Sequence, residues 1–163
     1  MTTSKPTLYV AVGPTGCGKT TVFQKLKSTN SDLHFFSWDE FRLAWYDPDN
    51  YPNAWELANQ DKQFINKTYD IYHKLIKSKQ DVFIDHSSLT VRRRKTWVTP
   101  AKKMGYKIVC ITFDIPLETL LYRNKTRKDK YVAEVAVYNQ SKCLQAPTIG
   151  EGFDVMVKHD EIV

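Results

Sequence analysis

An apolar run, Leu8-Tyr9-Val10-Ala11-Val12, leads straight into Gly13-Pro14-Thr15-Gly16-Cys17-Gly18-Lys19-Thr20. The second stretch spells G-x-x-x-x-G-K-T, the phosphate-binding loop. Its glycines let the backbone turn so that successive N–H groups converge on phosphate oxygens. Lys19 supplies a point charge for β- and γ-phosphates, and the Thr20 hydroxyl is a hard oxygen of the kind Mg²⁺ takes. A helix opening behind the loop adds its unsatisfied N–H groups and its dipole. Strand before and helix after are the context this loop requires. The chain is therefore expected to bind ATP or GTP with Mg²⁺, through Gly13, Thr15, Gly16, Cys17, Gly18, Lys19, Thr20 and Thr21.

The rest of the chain alternates strand and helix patterns. Thr7 to Val12, Leu33 to Ser37, Asp81 to Asp85, Tyr106 to Asp114 and Phe153 to Val157 read as strands. Between them, helical spacing runs from Lys19 to about Ser28, from about Ala54 to Lys79 with room for a break, from Thr90 to Gly105, from Pro116 on, and up to about Leu144. Asp47 to Asn53, with two prolines and several turn formers, reads as a loop. On the long central helix Ile65, Tyr69, Tyr72 and Ile76 share one face, and Pro100 is expected to kink or locally interrupt the next. This alternation predicts an α/β fold: a parallel sheet of about five strands with helices on both faces. At 163 residues, 1–163 is expected to be a single domain.

Ligands of a parallel α/β sheet gather beyond the carboxyl ends of the strands. That rule places Asp39, which follows the second strand, and Asp85, which ends the third, beside the phosphate loop. Phosphoryl transfer to a hydroxyl needs a carboxylate to orient the nucleophile and take its proton, and Asp39 is the candidate; helix capping is its other reading. Arg42 lies three residues on, on the same helix face, where it either grips an anionic acceptor group or pairs with Asp39 or Asp85. Asp85 stands where phosphate-loop proteins approach Mg²⁺, a turn-forming role being its other reading, and is followed by His86 and Ser87 as wall residues. The basic stretch Arg123 to Lys130 suits a lid, with Arg123 and Arg127 closing over the transferring phosphoryl group. Arg92-Arg93-Arg94-Lys95 forms a second cluster, either a phosphate-tracking patch or a solvated face.

Formal net charge is +6, which favours polyanionic partners but does not by itself select nucleic acid. Three cysteines, Cys17, Cys110 and Cys143, make neither a CxxC pair nor a metal cluster. No apolar run reaches the ~18 residues of a membrane span, and the first residues lack a signal-peptide core, so a cytoplasmic location is expected.

Taken together, G-x-x-G-x-G-K-T, W-D-E-F-R, I-D-H-S-S-L-T-V-R-R-R and D-I-P-L-E-T-L-L-Y-R-N-K-T-R resemble the kinase domain of the bacteriophage polynucleotide 5′-kinases, from about Leu8 to Tyr138. The resemblance implies a P-loop kinase that moves the γ-phosphate of ATP to the 5′-hydroxyl of DNA or RNA. It implies Asp39 as general base, Arg42 on the acceptor's phosphate, Asp85 in support of Arg42, and Arg127 with Arg123 on the γ-phosphoryl. Family members commonly carry a fused phosphatase domain, whereas this sequence ends at Val163 without its motif; a stand-alone kinase is expected. They often have a polar or basic residue where Trp38 stands, and Thr or Asn where His86 and Ser87 stand. Two rivals share most of these features: a kinase for a small-molecule hydroxyl or phosphate acceptor, and a nucleotide-dependent binding module.

Overall fold

The structure is a computed structural model and describes residues 4–162. Five strands form one sheet: β1 (Thr7–Val12), β2 (His34–Ser37), β3 (Val82–Asp85), β4 (Lys107–Thr112) and β5 (Val155–Lys158). Their order is β2-β3-β1-β4-β5, and every pairing is parallel. Parallel strands need covered faces, which is why their sequences are nearly continuous apolar runs. Successive side chains of β1 serve opposite faces. Val10 belongs to a core with Phe36, Tyr72, Ile84 and Trp97; Ala11 belongs to one with Val22, Phe83, Ile111 and Leu120.

Helices cover both faces. On the first lie α2 (Trp38–Trp45), α3 (Tyr51–Gln60), α4 (Phe64–Lys77) and α5 (Val91–Lys103); on the second, α1 (Lys19–Thr29), α6 (Leu117–Thr126) and α7 (Glu134–Cys143). None of the helices among the described residues is long and apolar enough to cross a membrane. Thr90 caps α5 through a bond accepted from the Arg93 N–H at 3.2 Å, as its position before the helix predicts. Burial of each large core side chain contributes about 1.5–3 kcal/mol.

Several local expectations need correction. The expected loop over 47–53 ends early, because the Asn50 side chain accepts from the Asn53 N–H at 3.1 Å and starts α3 at Tyr51. The buried face of α4 is Phe64, Thr68, Tyr72 and Ile76, while Ile65 is exposed. The break allowed for in the long central helix does occur, at Asp61, whose carboxylate accepts from Gln63 N–H, Tyr46 and Lys67. Proline does not interrupt α5, which runs on through Pro100 to Lys103. Pro116 caps α6 instead of opening it. The Arg92–Lys95 cluster divides: Arg94 is fully buried, makes a two-pronged pair with Glu151 at 2.7 and 3.0 Å, and donates to the Ser88 and Leu89 carbonyls. A guanidinium so enclosed holds the segment after β3 in place and tracks no phosphate.

Candidate active site

The carboxyl ends of the strands open into a cavity of about 1140 Å³. One wall is the phosphate loop. Gly16 (φ 83°) and Gly18 (φ 106°) take the left-handed backbone that side chains disfavour, turning the chain back on itself. Gly13 is needed for a different reason: a Cβ there would stand 2.6 Å from Cys17 Sγ. The Gly13 N–H donates to the Ser87 carbonyl at 3.0 Å, so this residue braces the loop from behind and, unlike the loop residues Thr15 to Thr21, does not line the cavity. Lys19 Nζ reaches the Gly13 and Pro14 carbonyls, both at 3.0 Å. Burial pushes the Cys17 thiol up, against the opposing pull of Lys19, which favours the inert thiol form.

The opposite wall is built by α2 and α3. The Ser37 hydroxyl caps α2, and Asp39 and Arg42 fall on one face of it. Arg42 Nη1 donates to Asp39 Oδ1 at 2.8 Å, and the Tyr51 hydroxyl donates to the same oxygen at 2.7 Å. Arg42 therefore pairs with Asp39, the second of its two sequence readings. Its guanidinium also lies 5.0–5.8 Å from the rings of Trp38, Trp55 and Phe64, and its Nε is buried without a partner. Glu40, next to Asp39, is exposed and faces away from the cavity.

Between the walls lies the end of β3. Asp85 sits opposite Ser37 in the sheet register, and burial raises its carboxyl despite Lys19 and the Ser37 hydroxyl, which act the other way. Among the described residues no hydrogen bond joins Asp85 to Arg42, which pairs with Asp39 instead. His86 packs edge-on against Trp38 with ring centroids 4.8 Å apart. Its Nδ1 accepts the Ser88 N–H at 3.0 Å, and burial beside Arg93 pushes its pKa down to about 3. The ring is thus neutral, with its proton on Nε2.

The segment after α6 closes the third side. Arg123 Nη1 donates to the Gly16 carbonyl at 3.1 Å. The helix ends at Thr126, so Arg127 adopts an extended backbone (ψ 136°) and is not one helical turn beyond Arg123. Arg127 lines the cavity and pairs loosely with Asp129 at 3.4 Å. Lys130 crosses to form an ion pair with Asp39 Oδ2 and lies over the Tyr51 ring. Burial and the Lys19 ammonium push Lys130 down to about 8. The fully buried Asn124 clamps this segment, donating to the Val132 carbonyl at 2.5 Å and accepting its N–H at 3.1 Å. From α7, the Gln140 side chain accepts the Thr15 N–H at 2.7 Å.

Apart from Gly13, every residue singled out from the sequence for this site lines the cavity. Tyr51, Trp55, Lys130 and Gln140 do so too and were not singled out. Tyr51 had one readable signal, its place in the first turn after Asn50 and next to Pro52, where helices start. Gln140 had none. The arrangement combines an anion cradle with a carboxylate, a neutral imidazole and several cations, the parts that phosphoryl transfer uses.

Comparison with solved structures finds the same fold in several kinases. A chain of the Pnkp1/Rnl/Hen1 RNA repair complex is similar over 88% of this chain at 23% identity and a TM-score of 0.69; the match spans 45% of that longer chain. A gluconokinase from Sinorhizobium meliloti 1021 matches over 99% of this chain and 89% of its own, at 21% identity and a TM-score of 0.63. A fungal RNA kinase matches over 96% of this chain and 75% of its own, at 17% identity and a TM-score of 0.59. The neighbours thus include kinases named for nucleic acid and for a small molecule. The AAA domain family profile (AAA_33) matches residues 8–146. On that match, which takes in most of the described chain, this protein belongs to the AAA domain family and has the fold of a P-loop kinase.

Proposed function

We propose that this protein transfers the γ-phosphoryl group of ATP to the 5′-hydroxyl end of DNA or RNA, acting as one kinase domain with a lid at 123–131. The observation that carries the proposal is Asp39: a carboxylate fixed by Arg42 and Tyr51, in the same cavity as the phosphate loop. A carboxylate there can orient an incoming hydroxyl and accept its proton as the new P–O bond forms. Arg42 stands beside it, able to hold a phosphate of the acceptor. The half-buried His86 presents Nε2–H as a neutral donor, and Ser87 lies next to it.

On the donor side, loop N–H groups between Gly16 and Thr21 and the Lys19 ammonium would hold the β- and γ-phosphates. Arg123 and Arg127 would balance the negative charge that spreads over the moving phosphoryl group. The residues fit a Mg²⁺ ion held mainly by substrate phosphates and water: Thr20 offers an exposed hydroxyl, Asp85 a carboxylate, and no group of three or more His, Cys, Asp or Glu forms a cage among the described residues. Such an ion would neutralise charge between the β- and γ-phosphates.

A second reading, a small-molecule acceptor, is favoured by the similarity to gluconokinase over 89% of that enzyme's length. One experiment separates the two. Labelled ATP is offered with 5′-hydroxyl DNA, 5′-hydroxyl RNA, nucleosides and gluconate. Label on an oligonucleotide end supports the first reading, and label on a small molecule alone replaces it. Asp39→Ala should lower transfer at least 100-fold while ATP binding persists; near-normal transfer would remove Asp39 from that role.

A further inference from the structure

On the acceptor side, Trp55 stands apart from the packing of the fold. It belongs to neither hydrophobic core, and 47% of its surface is exposed. An indole in water forgoes the burial that usually holds tryptophan in a protein. Yet its position is specific. Trp55 lies four residues beyond Tyr51 on α3, so the two share a helix face one turn, about 5.4 Å, apart. Tyr51 is bonded to Asp39, which places Trp55 next to the carboxylate proposed to receive the attacking hydroxyl's proton. It lines the same cavity as Asp39, Arg127 and Lys130.

Packing of Arg42 does not account for it. The Arg42 guanidinium is 5.8 Å from the Trp55 centroid, but Trp38, Phe64 and Asp39 already enclose that arginine. What remains is a half-exposed aromatic ring in a cavity that also carries Arg127 and Lys130. That pairing is how proteins hold unpaired nucleotides: the cations follow the phosphates while a base stacks on the ring, each stack being worth about 1–3 kcal/mol.

We infer that Trp55 is a stacking platform for the nucleobase of the nucleotide that bears the accepting hydroxyl. This rests on the polynucleotide reading above and adds a base-binding subsite to it. The test uses two 5′-hydroxyl oligonucleotides that differ only at the first residue, one with a normal base and one abasic. The wild-type protein should prefer the base-bearing strand about 5- to 100-fold in kcat/KM. In Trp55→Ala that ratio should fall to about one, and in Trp55→Phe most of it should return. A wild-type ratio near one, or a preference that survives in Trp55→Ala, overturns the platform and leaves the polynucleotide reading intact. Transfer to neither strand by the wild type overturns both.

Discussion

Lys130 forms an ion pair with Asp39, a carboxylate that Arg42 and Tyr51 already hold from the other side. The segment between α6 and α7 therefore closes onto the residue proposed to accept the proton. Both partners are partly exposed, which keeps the pair's contribution to about 1 kcal/mol.

Lys130→Met should loosen that closure without unfolding the protein. Amides at 127–133 should exchange about 2- to 10-fold faster than in the wild type, with global stability nearly unchanged. In 1 M salt the difference should shrink, because the wild-type pair is itself screened. Equal exchange in the two proteins would show that the pair does not hold the segment.

At Gly13 the constraint is steric, and a pair of substitutions exposes it. Gly13→Ala should cost about 1–3 kcal/mol in urea denaturation, as overpacking does, and should weaken ATP binding. Adding Cys17→Ala removes the sulfur 2.6 Å from the new methyl and should restore part of the loss. Full restoration is not expected, since the new methyl also meets Phe113 at 3.3 Å.

His86 sets an acid dependence. Its pKa lies near 3 in the folded protein against 6.5 for an ordinary histidine. Between those values the unfolded chain binds a proton that the native state refuses. This contribution is present in full above pH 6.5 and is lost as pH falls toward 3, by at most about 1.4 kcal/mol per pH unit. Denaturant midpoints at pH 7, 6 and 5 should therefore fall more steeply for the wild type than for His86→Asn. Parallel slopes would mean that His86 titrates normally.

Neighbouring arginines on α5 should behave very differently. Arg94→Ala leaves Glu151 unpaired beside a buried void and should cost about 3–5 kcal/mol. Exposed Arg92→Ala should stay within about 0.5 kcal/mol. Thermal denaturation of the two variants distinguishes them directly.

The contrast at α5 shows where sequence reading stops. Consecutive helical residues point about 100° apart, so the three adjacent arginines could not share one direction, but it is the carboxylate of Glu151, 57 residues away, with the Ser88 and Leu89 carbonyls, that selects Arg94 as the buried one. The sheet was legible because each strand is a local apolar run, and the phosphate loop because its spacing is itself the chemistry. Asp39 and Arg42 could be paired in advance, being one helical turn apart. Tyr51 and Lys130 could not, since their meeting with Asp39 depends on where α3 starts and on how the chain leaves α6.

The grip of Asn124 on Val132 has a mechanical consequence. The stretch 125–131 is a closed hoop, fastened at its base by a single buried amide. A hoop of fixed circumference swings but does not stretch. Arg127 and Lys130 are then carried on one loop, and the two residues between them bound how far apart the two charges can be placed.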